Sequence, residues 1–213
     1  MVMKIEIWSD IMCPFCYIGK RHLETALSAF PGEQFEIEWK SFQLDPTIVP
    51  QPGKNVYEYL AERKGMSVEE SKQMHAGVVA RAAEVGLDYH FEKAVISNSL
   101  TAHRLIQLAK TKGLGDAIEE TFFKAYFTDG RDLNDESTLV ELSVGAGLNA
   151  LDVKEVLQDE TLFANAVNHD ISEAQQIGVR GVPFFVFDRK YAISGAQPIE
   201  HFEQTIQEVL KGA

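Results

Sequence analysis

The sequence predicts an α/β fold interrupted by an all-helical insertion, and three observations carry the prediction. Residues 1–44 read as strand, helix, strand. Residues 45–158 show helical patterns without a convincing strand, and residues 159–213 read as helix, strand, strand, helix. Neither flank has enough strands for a sheet of its own. The two flanks, 1–44 and 159–213, are therefore assigned to one domain and 45–158 to a helical insertion.

Lys4 to Ser9 is short, apolar and flanked by polar residues, as expected of a strand buried on both faces. Cys16 to Ala29 reads as a helix with Ile18, Leu23, Ala26, Leu27 and Phe30 on one side, stopped by Pro31-Gly32. Phe35 to Lys40 alternates as a second strand. Asp45-Pro46 and Pro50-Gln51-Pro52-Gly53 punctuate the connection into the insertion. There, Asn55 caps a helix to Lys64, and Ser67-Val68-Glu69-Glu70 has capping-box spacing for a longer helix ending near Gly86. Further helices are expected over Leu100–Lys112, Asp116–Phe127, Asp135–Val144 and Asp152–Gln158. A long amphipathic helix is expected from Asp159 to Ile177, with Phe163, Val167, Ile171, Ala174 and Ile177 in register. Val182 to Phe187 and Tyr191 to Ile193 read as strands joined by a turn at Asp188-Arg189-Lys190. Pro198 to Lys211 reads as a closing helix, with proline in its first turn where a missing N–H costs nothing.

Composition bounds the function. A net charge of −12 over 213 residues argues against a nucleic-acid backbone or an anionic membrane as main partner. Residues Met1 to Asp10 run straight into a strand, without the basic start and apolar run of a signal peptide, so a cytoplasmic location is expected. In that compartment a structural disulfide is disfavoured, and a close cysteine pair is expected to be catalytic or metal-binding.

The only two cysteines form Cys13-Pro14-Phe15-Cys16 at a strand-to-helix turn. A thiol there meets the positive end of the helix dipole, which favours thiolate. Three readings follow. In a redox dithiol, Cys13 attacks a disulfide and Cys16 resolves the mixed disulfide. In half of a zinc site, two more ligands are needed, and there is no second cysteine pair. In the third, both cysteines are packed as small hydrophobes. Pro14 in the first helical turn favours the redox reading. Pro183, opening a strand, is read by base rate as a strand-start proline. Paired with an upstream CxxC it has a further use: a cis Val182-Pro183 bond turns the Val182 backbone toward Cys13, where it can pair with an extended peptide or thiol ligand.

Five stretches together resemble DsbA-like proteins. They are Trp8–Gly19, Asn98–Leu105, Ala125-Tyr126-Phe127, Gly178–Phe185 and Ser194-Gly195-Ala196-Gln197. Residues 1–44 and 159–213 resemble the halves of a thioredoxin fold, with the helical block where that family carries its insertion. The details look most like the FrnE-type branch, related to kappa-class glutathione transferases and 2-hydroxychromene-2-carboxylate isomerases. The resemblance implies a thiol–disulfide oxidoreductase with Cys13 attacking, Cys16 resolving, and Pro14, Phe15, Val182 and Pro183 at the substrate. The implied cofactor set is the redox-active Cys13–Cys16 disulfide with nothing tightly bound, and glutathione as an optional co-substrate. Glutathione-using relatives imply an anion contact at Ala196 and Gln197, where helix N-terminal N–H groups can hold a carboxylate. His103 is a further candidate for such a contact, with Arg104 beside it; a helix-face pair making local hydrogen bonds is the equal alternative.

Two departures from the family pattern bear on mechanism. The position six residues before Cys13, often a buried carboxylate, is Ile7, leaving Glu6 or Asp10 as substitutes. Phe15 stands where strongly oxidising DsbA proteins have His, so a less oxidising couple is expected. The alternative function is a glutathione-dependent transferase or isomerase acting on a small organic substrate, for which Ser9 offers a hydroxyl. A binding protein with redox-inert cysteines is the rival from another class. The expected partners are protein or small-molecule thiols and disulfides, with no nucleic acid or membrane, for a monomer or homodimer. Phe122, Phe123, Tyr126 and Phe127 are read as helical core, and Glu69-Glu70 and Glu119-Glu120 as solvated faces.

Overall fold

The computed structural model describes residues 2–51 and 53–212. Met1 and Pro52, which fall within the expected first strand region and connection, lie outside them. The chain runs through β1 (Val2–Ser9), α1 (Pro14–Ser28) and β2 (Gln34–Ser41). The helices α2 (Val56–Lys64), α3 (Val68–Glu84), α4 (Leu100–Thr111), α5 (Gly115–Phe127), α6 (Glu136–Gly145) and α7 (Ala150–Gln158) follow. The last elements are α8 (Ala164–Gln176), β3 (Phe184–Phe187), β4 (Tyr191–Ser194) and α9 (Ile199–Lys211). Contacts divide the chain into two compact units, Met1–Leu44 with Asn165–Ala213, and Asp45–Ala164.

The first unit holds a mixed four-stranded sheet in the order β2-β1-β3-β4. β1 lies parallel to β2, with Ile5 opposite Ile37, and antiparallel to β3, with Ile7 opposite Phe185. β3 turns into antiparallel β4 through the three residues Asp188, Arg189 and Lys190; the first two are left-handed at φ 46° and 56°, and the Lys190 N–H donates to the Phe187 carbonyl at 2.9 Å. The aromatic side chains of β3 show which face is which. Phe185 stands edge-on to Phe202 of α9 at 4.9 Å, and Gly19 of α1 approaches the same ring. Phe184, beside Trp8, lies on the opposite face, where Trp8, Ala174 of α8, Val179 and Val186 form a core cluster. By strand alternation Ile5, Ile7 and Ser9 face α1, while Glu6 and Trp8 face α8.

Glu6 is therefore buried on the face away from α1. It is paired there with Arg189 and lies 3.7 Å from Lys40 Nζ, which also reaches Asp170 at 3.5 Å and Glu173 at 3.2 Å. The Trp8 indole N–H donates to the Asp170 carbonyl at 2.9 Å.

In the helical unit, Asn55 and Ser67 both close capping boxes at the expected starts of α2 and α3. Phe122, Phe123 and Phe127 are buried, as the periodicity of α5 anticipates. Three expectations need correcting. The helix expected from Asp159 begins only at Ala164: the Asp159 carboxylate accepts from the Thr161 N–H and hydroxyl, and Phe163 adopts a left-handed φ of 62°. This local turn competes with the helix start despite the hydrophobic register. Glu119 is buried rather than solvated, because it shares the α5 stripe of Phe122, Phe123 and Tyr126 at i, i+3, i+4 and i+7. Arg104, read either as an anion contact beside His103 or as one of a pair making local hydrogen bonds, is spent on backbone 52 to 58 residues away. Its guanidinium donates to the carbonyls of Leu162 (2.8 Å), Val156 and Asp159, in and just beyond the last turn of α7.

Candidate active site

Cys13 forms the N-cap of α1 in extended conformation (φ −94°, ψ 111°), with Pro14 in the first turn where no N–H is needed. Two contacts fix the loop before it. The Cys13 N–H donates to the Asp10 carbonyl at 2.8 Å, and the Asp10 carboxylate accepts from the N–H groups of Met12 (3.2 Å) and Leu44 (2.8 Å). Asp10 thus ties the turn to the segment that follows β2. Both cysteines are free thiols, Cys13 4% and Cys16 1% exposed, with Pro14 and Phe15 half-buried between them.

The Val182-Pro183 peptide bond is cis, and the Cys13 thiol donates to the Val182 carbonyl at 3.5 Å. The Pro183 carbonyl accepts from the Gly195 N–H at 2.8 Å, which joins this loop to the end of β4. Residues 169 positions apart thus meet across the strand ends.

Gly19, a glycine inside α1, sets this approach. A Cβ on Gly19 would stand 3.0 Å from Pro183 Cγ and 3.1 Å from Phe185 Cζ. Only a residue without a side chain lets α1 lie this close to the proline loop. The available signal was a glycine three residues after Cys16 inside a helix, where alanine would be the better helix former.

Burial pushes the Cys16 thiol well above its ordinary pKa, and its hydrogen bond to Cys13 acts in the same direction. The Asp10 backbone N–H and the Ser9 hydroxyl oppose this by favouring the thiolate.

Of the remaining candidates, Gln197 donates its backbone N–H to the Gly195 carbonyl at 2.9 Å. The Gln197 side-chain amide donates to the Ser194 carbonyl at 2.8 Å, and its own carbonyl accepts from His22 Nδ1 at 2.7 Å. Ala196 is half-buried before α9, whose first turn carries Glu200. His103 is buried in α4 of the helical unit. Among the described residues, the group with metal-ligand spacing is His169, Asp170 and Glu173, which contains neither cysteine and whose two carboxylates already pair with Lys40.

A family model described as a DSBA-like thioredoxin domain matches residues 4–207. A probable DsbA oxidoreductase from Streptomyces coelicolor is 42% identical, with a TM-score of 0.93 over 99% of this chain and 91% of that one. The uncharacterized protein YwbO of Bacillus subtilis (strain 168) is 27% identical over 218 residues, 99% of each chain. The cytosolic disulfide reductase DsbM of Pseudomonas aeruginosa shares the fold at 17% identity, with a TM-score of 0.67 over 99% of this chain and 100% of that one. With a cysteine pair at the head of α1, the proline loop against it and a family match across nearly all its length, the chain belongs to the DSBA-like thioredoxin domain family.

Proposed function

We propose that the protein is a thiol–disulfide oxidoreductase of the FrnE type, exchanging disulfides with protein or small thiol substrates through Cys13 and Cys16. The observation that carries this reading is the 3.5 Å contact of the Cys13 thiol with the Val182 carbonyl, with Cys16 one turn along the same helix. In the oxidising direction, a substrate dithiol gives up two electrons to the Cys13–Cys16 disulfide and leaves as a disulfide. In the reducing direction, the Cys13 thiolate attacks a substrate disulfide and expels one substrate thiolate. Cys16 then loses its proton and attacks the Cys13 sulfur, which closes the protein disulfide and releases the second substrate thiolate. The Val182 backbone, beside the attacking sulfur, serves as the edge along which an extended substrate pairs, with Pro14, Phe15 and Pro183 flanking it.

The cytoplasm is the proposed compartment, supported by the cytosolic DsbM fold relative, and no helix among the described residues is long and apolar enough to cross a membrane. Glutathione as co-substrate draws support from the same relative, which has also been solved with GSH. The Ala196-Gln197 stretch favours it less. The Gln197 amide is held by Ser194, and Glu200 in the first turn of α9 repels an incoming carboxylate.

The test is equilibration in glutathione and dithiothreitol redox buffers, with the thiol state read by mass, alongside insulin reduction by the wild type and Cys13→Ser. Reversible loss of two protons on oxidation and an inactive Cys13→Ser variant are expected. A pair that never oxidises reversibly would refute the reading. Isomerase or conjugation turnover that survives Cys16→Ser would favour the transferase alternative. With Phe15 in place of His, the couple is expected to be less oxidising than that of DsbA, about −120 mV. A potential equal to that value would contradict the expectation.

A further inference from the structure

Resolution of the mixed disulfide requires Cys16 to become an anion in a buried place. The groups that the sequence offers for that task are committed elsewhere. Ile7 occupies the α1-facing position where a carboxylate would serve. Glu6 points to the opposite face and is held by Arg189 and Lys40. The Asp10 carboxylate takes the backbone N–H groups of Met12 and Leu44. One polar side chain of β1 remains on the α1 face. Ser9 is fully buried, and among the described residues its Oγ completes no hydrogen bond. A buried hydroxyl without a partner is costly, so its presence calls for an explanation. The group it lies beside is the Cys16 thiol, whose anionic form it favours.

Resting on the dithiol reading above, we infer that Ser9 is the positioning residue of the resolving step: its hydroxyl turns to donate to the Cys16 sulfur when that sulfur becomes an anion. In the reduced resting state Cys16 is a thiol that hydrogen-bonds to Cys13, and the Ser9 hydroxyl, buried beside it, completes no bond to any other group among the described residues. Once Cys13 is tied to substrate, the Cys16 proton departs to solvent, and the thiolate accepts the Ser9 O–H together with the Asp10 backbone N–H. The anion then attacks Cys13, forming the Cys13–Cys16 bond while the substrate sulfur leaves with the electron pair and takes up a proton. Ser9 neither gains nor loses a proton. It is a donor, and a serine is too weak an acid and base at neutral pH to be more.

Removing one hydrogen bond to a charged group lowers the thiolate fraction about ten- to a hundredfold. The more basic thiolate left behind is a better nucleophile and regains roughly the square root of that loss. Ser9→Ala should therefore slow resolution about three- to tenfold below the Cys16 titration.

The two steps can be read separately with dithiodipyridine, which reacts with thiols in acid. One equivalent is added to the reduced protein at acid pH, where the Cys13 attack releases one pyridinethione and Cys16 stays protonated. A stopped-flow jump to higher pH then releases the second as Cys16 closes the disulfide. Ser9→Ala is expected to leave the first release unchanged and slow the second, with the midpoint of its pH profile moved to higher pH. Ser9→Thr, which keeps the hydroxyl, should restore both rate and midpoint. Melting curves should show Ser9→Ala at least as stable as the wild type, since an unpartnered oxygen has been removed. A second release at the wild-type rate and midpoint in Ser9→Ala would overturn the inference, as would equal slowing of both releases. A wild type that gives no second release would instead overturn the dithiol reading on which the inference rests.

Discussion

The closest packing in the site is at Gly19, and Gly19→Ala tests whether that closeness is a requirement. In an exposed helix interior this change gains about 1 kcal/mol from helix propensity alone. Here the new methyl would stand 3.0 Å from Pro183 Cγ and 3.1 Å from Phe185 Cζ. Carbon pairs sit best at about 3.5–4.0 Å, so ring and proline must retreat by roughly half an ångström or more. Neither gives way cheaply. Phe185 is fully buried against Phe202, and Pro183 is rigid and tied through its carbonyl to Gly195. Overpacking of this kind costs about 1–3 kcal/mol, which after the propensity gain leaves a net loss of about 0–2 kcal/mol. For a chain of this size that corresponds to a fall in Tm of up to about 8 °C. The functional effect should exceed the effect on stability. Pro183 carries the Val182 carbonyl that meets Cys13, and displacement of a reacting geometry by about half an ångström costs roughly tenfold in rate. Melting curves and the rate of exchange with a small disulfide measure the two effects. An alanine variant that melts higher and exchanges at the wild-type rate would refute the close-approach argument.

Other outcomes follow from the same packing. Glu6→Gln should cost about 1–3 kcal/mol by breaking a buried ion network, yet leave thiol exchange unchanged, because the carboxylate lies on the face of the sheet away from α1; a pH-dependent loss of exchange would revive it as a proton acceptor. Arg104→Ala should cost about 2–4 kcal/mol by removing the guanidinium donor from the carbonyls of Val156 and Leu162 and from that of Asp159, which keeps only the Leu162 N–H, seen as a lower denaturation midpoint. His75 is half-buried edge-on to Tyr57 and Phe91, and burial lowers its pKa from 6.5 against the opposing pull of the Ser71 carbonyl. The unfolded chain therefore takes up this proton first, so stability holds above about pH 6.5 and declines as pH falls below it. His75→Phe should flatten the dependence of Tm on pH in that window, and a slope unchanged by the substitution would remove His75 as its source.

The elements were legible wherever a local signal fixed them. Asn55 and Ser67 announced their helices because a capping box is a contact within four residues. Cys13, Cys16 and Pro183 stood out because thiols are rare here and proline cannot donate to a sheet. Glu119 apart, whose place in the α5 stripe periodicity does carry, the misread residues depended on information that periodicity does not hold. Phe163 kept the hydrophobic register of α8 although its backbone is left-handed, since a pattern of side chains does not report φ. Arg104 looked available because its carbonyl partners lie 52 to 58 residues away. Gly19 looked like a weak helix position until Pro183, far along the chain, was placed against it.

The choice of proton-handling group shows the same limit most sharply. Ile5-Glu6-Ile7-Trp8-Ser9 is buried along its whole length, so no polar and apolar alternation marks its two faces. The sequence therefore allowed Glu6 to point at the thiols. What decides the matter is the register with β3: Phe185 opposite Ile7 packs on α9, and Phe184 opposite Trp8 packs with the α8 cluster. One register assigns the carboxylate to an ion network with Lys40 and Arg189, and the hydroxyl of Ser9 to the resolving thiol. A shift of one residue would exchange them. The protein thus meets Cys16 with a donor that stabilises the anion where a thioredoxin-like site more often has a base that removes the proton. Its resolving step should accordingly follow the thiolate fraction of Cys16 itself, with no second titration from a neighbouring carboxylate in the pH profile. A profile that needs two ionisations would show that a base acts there after all.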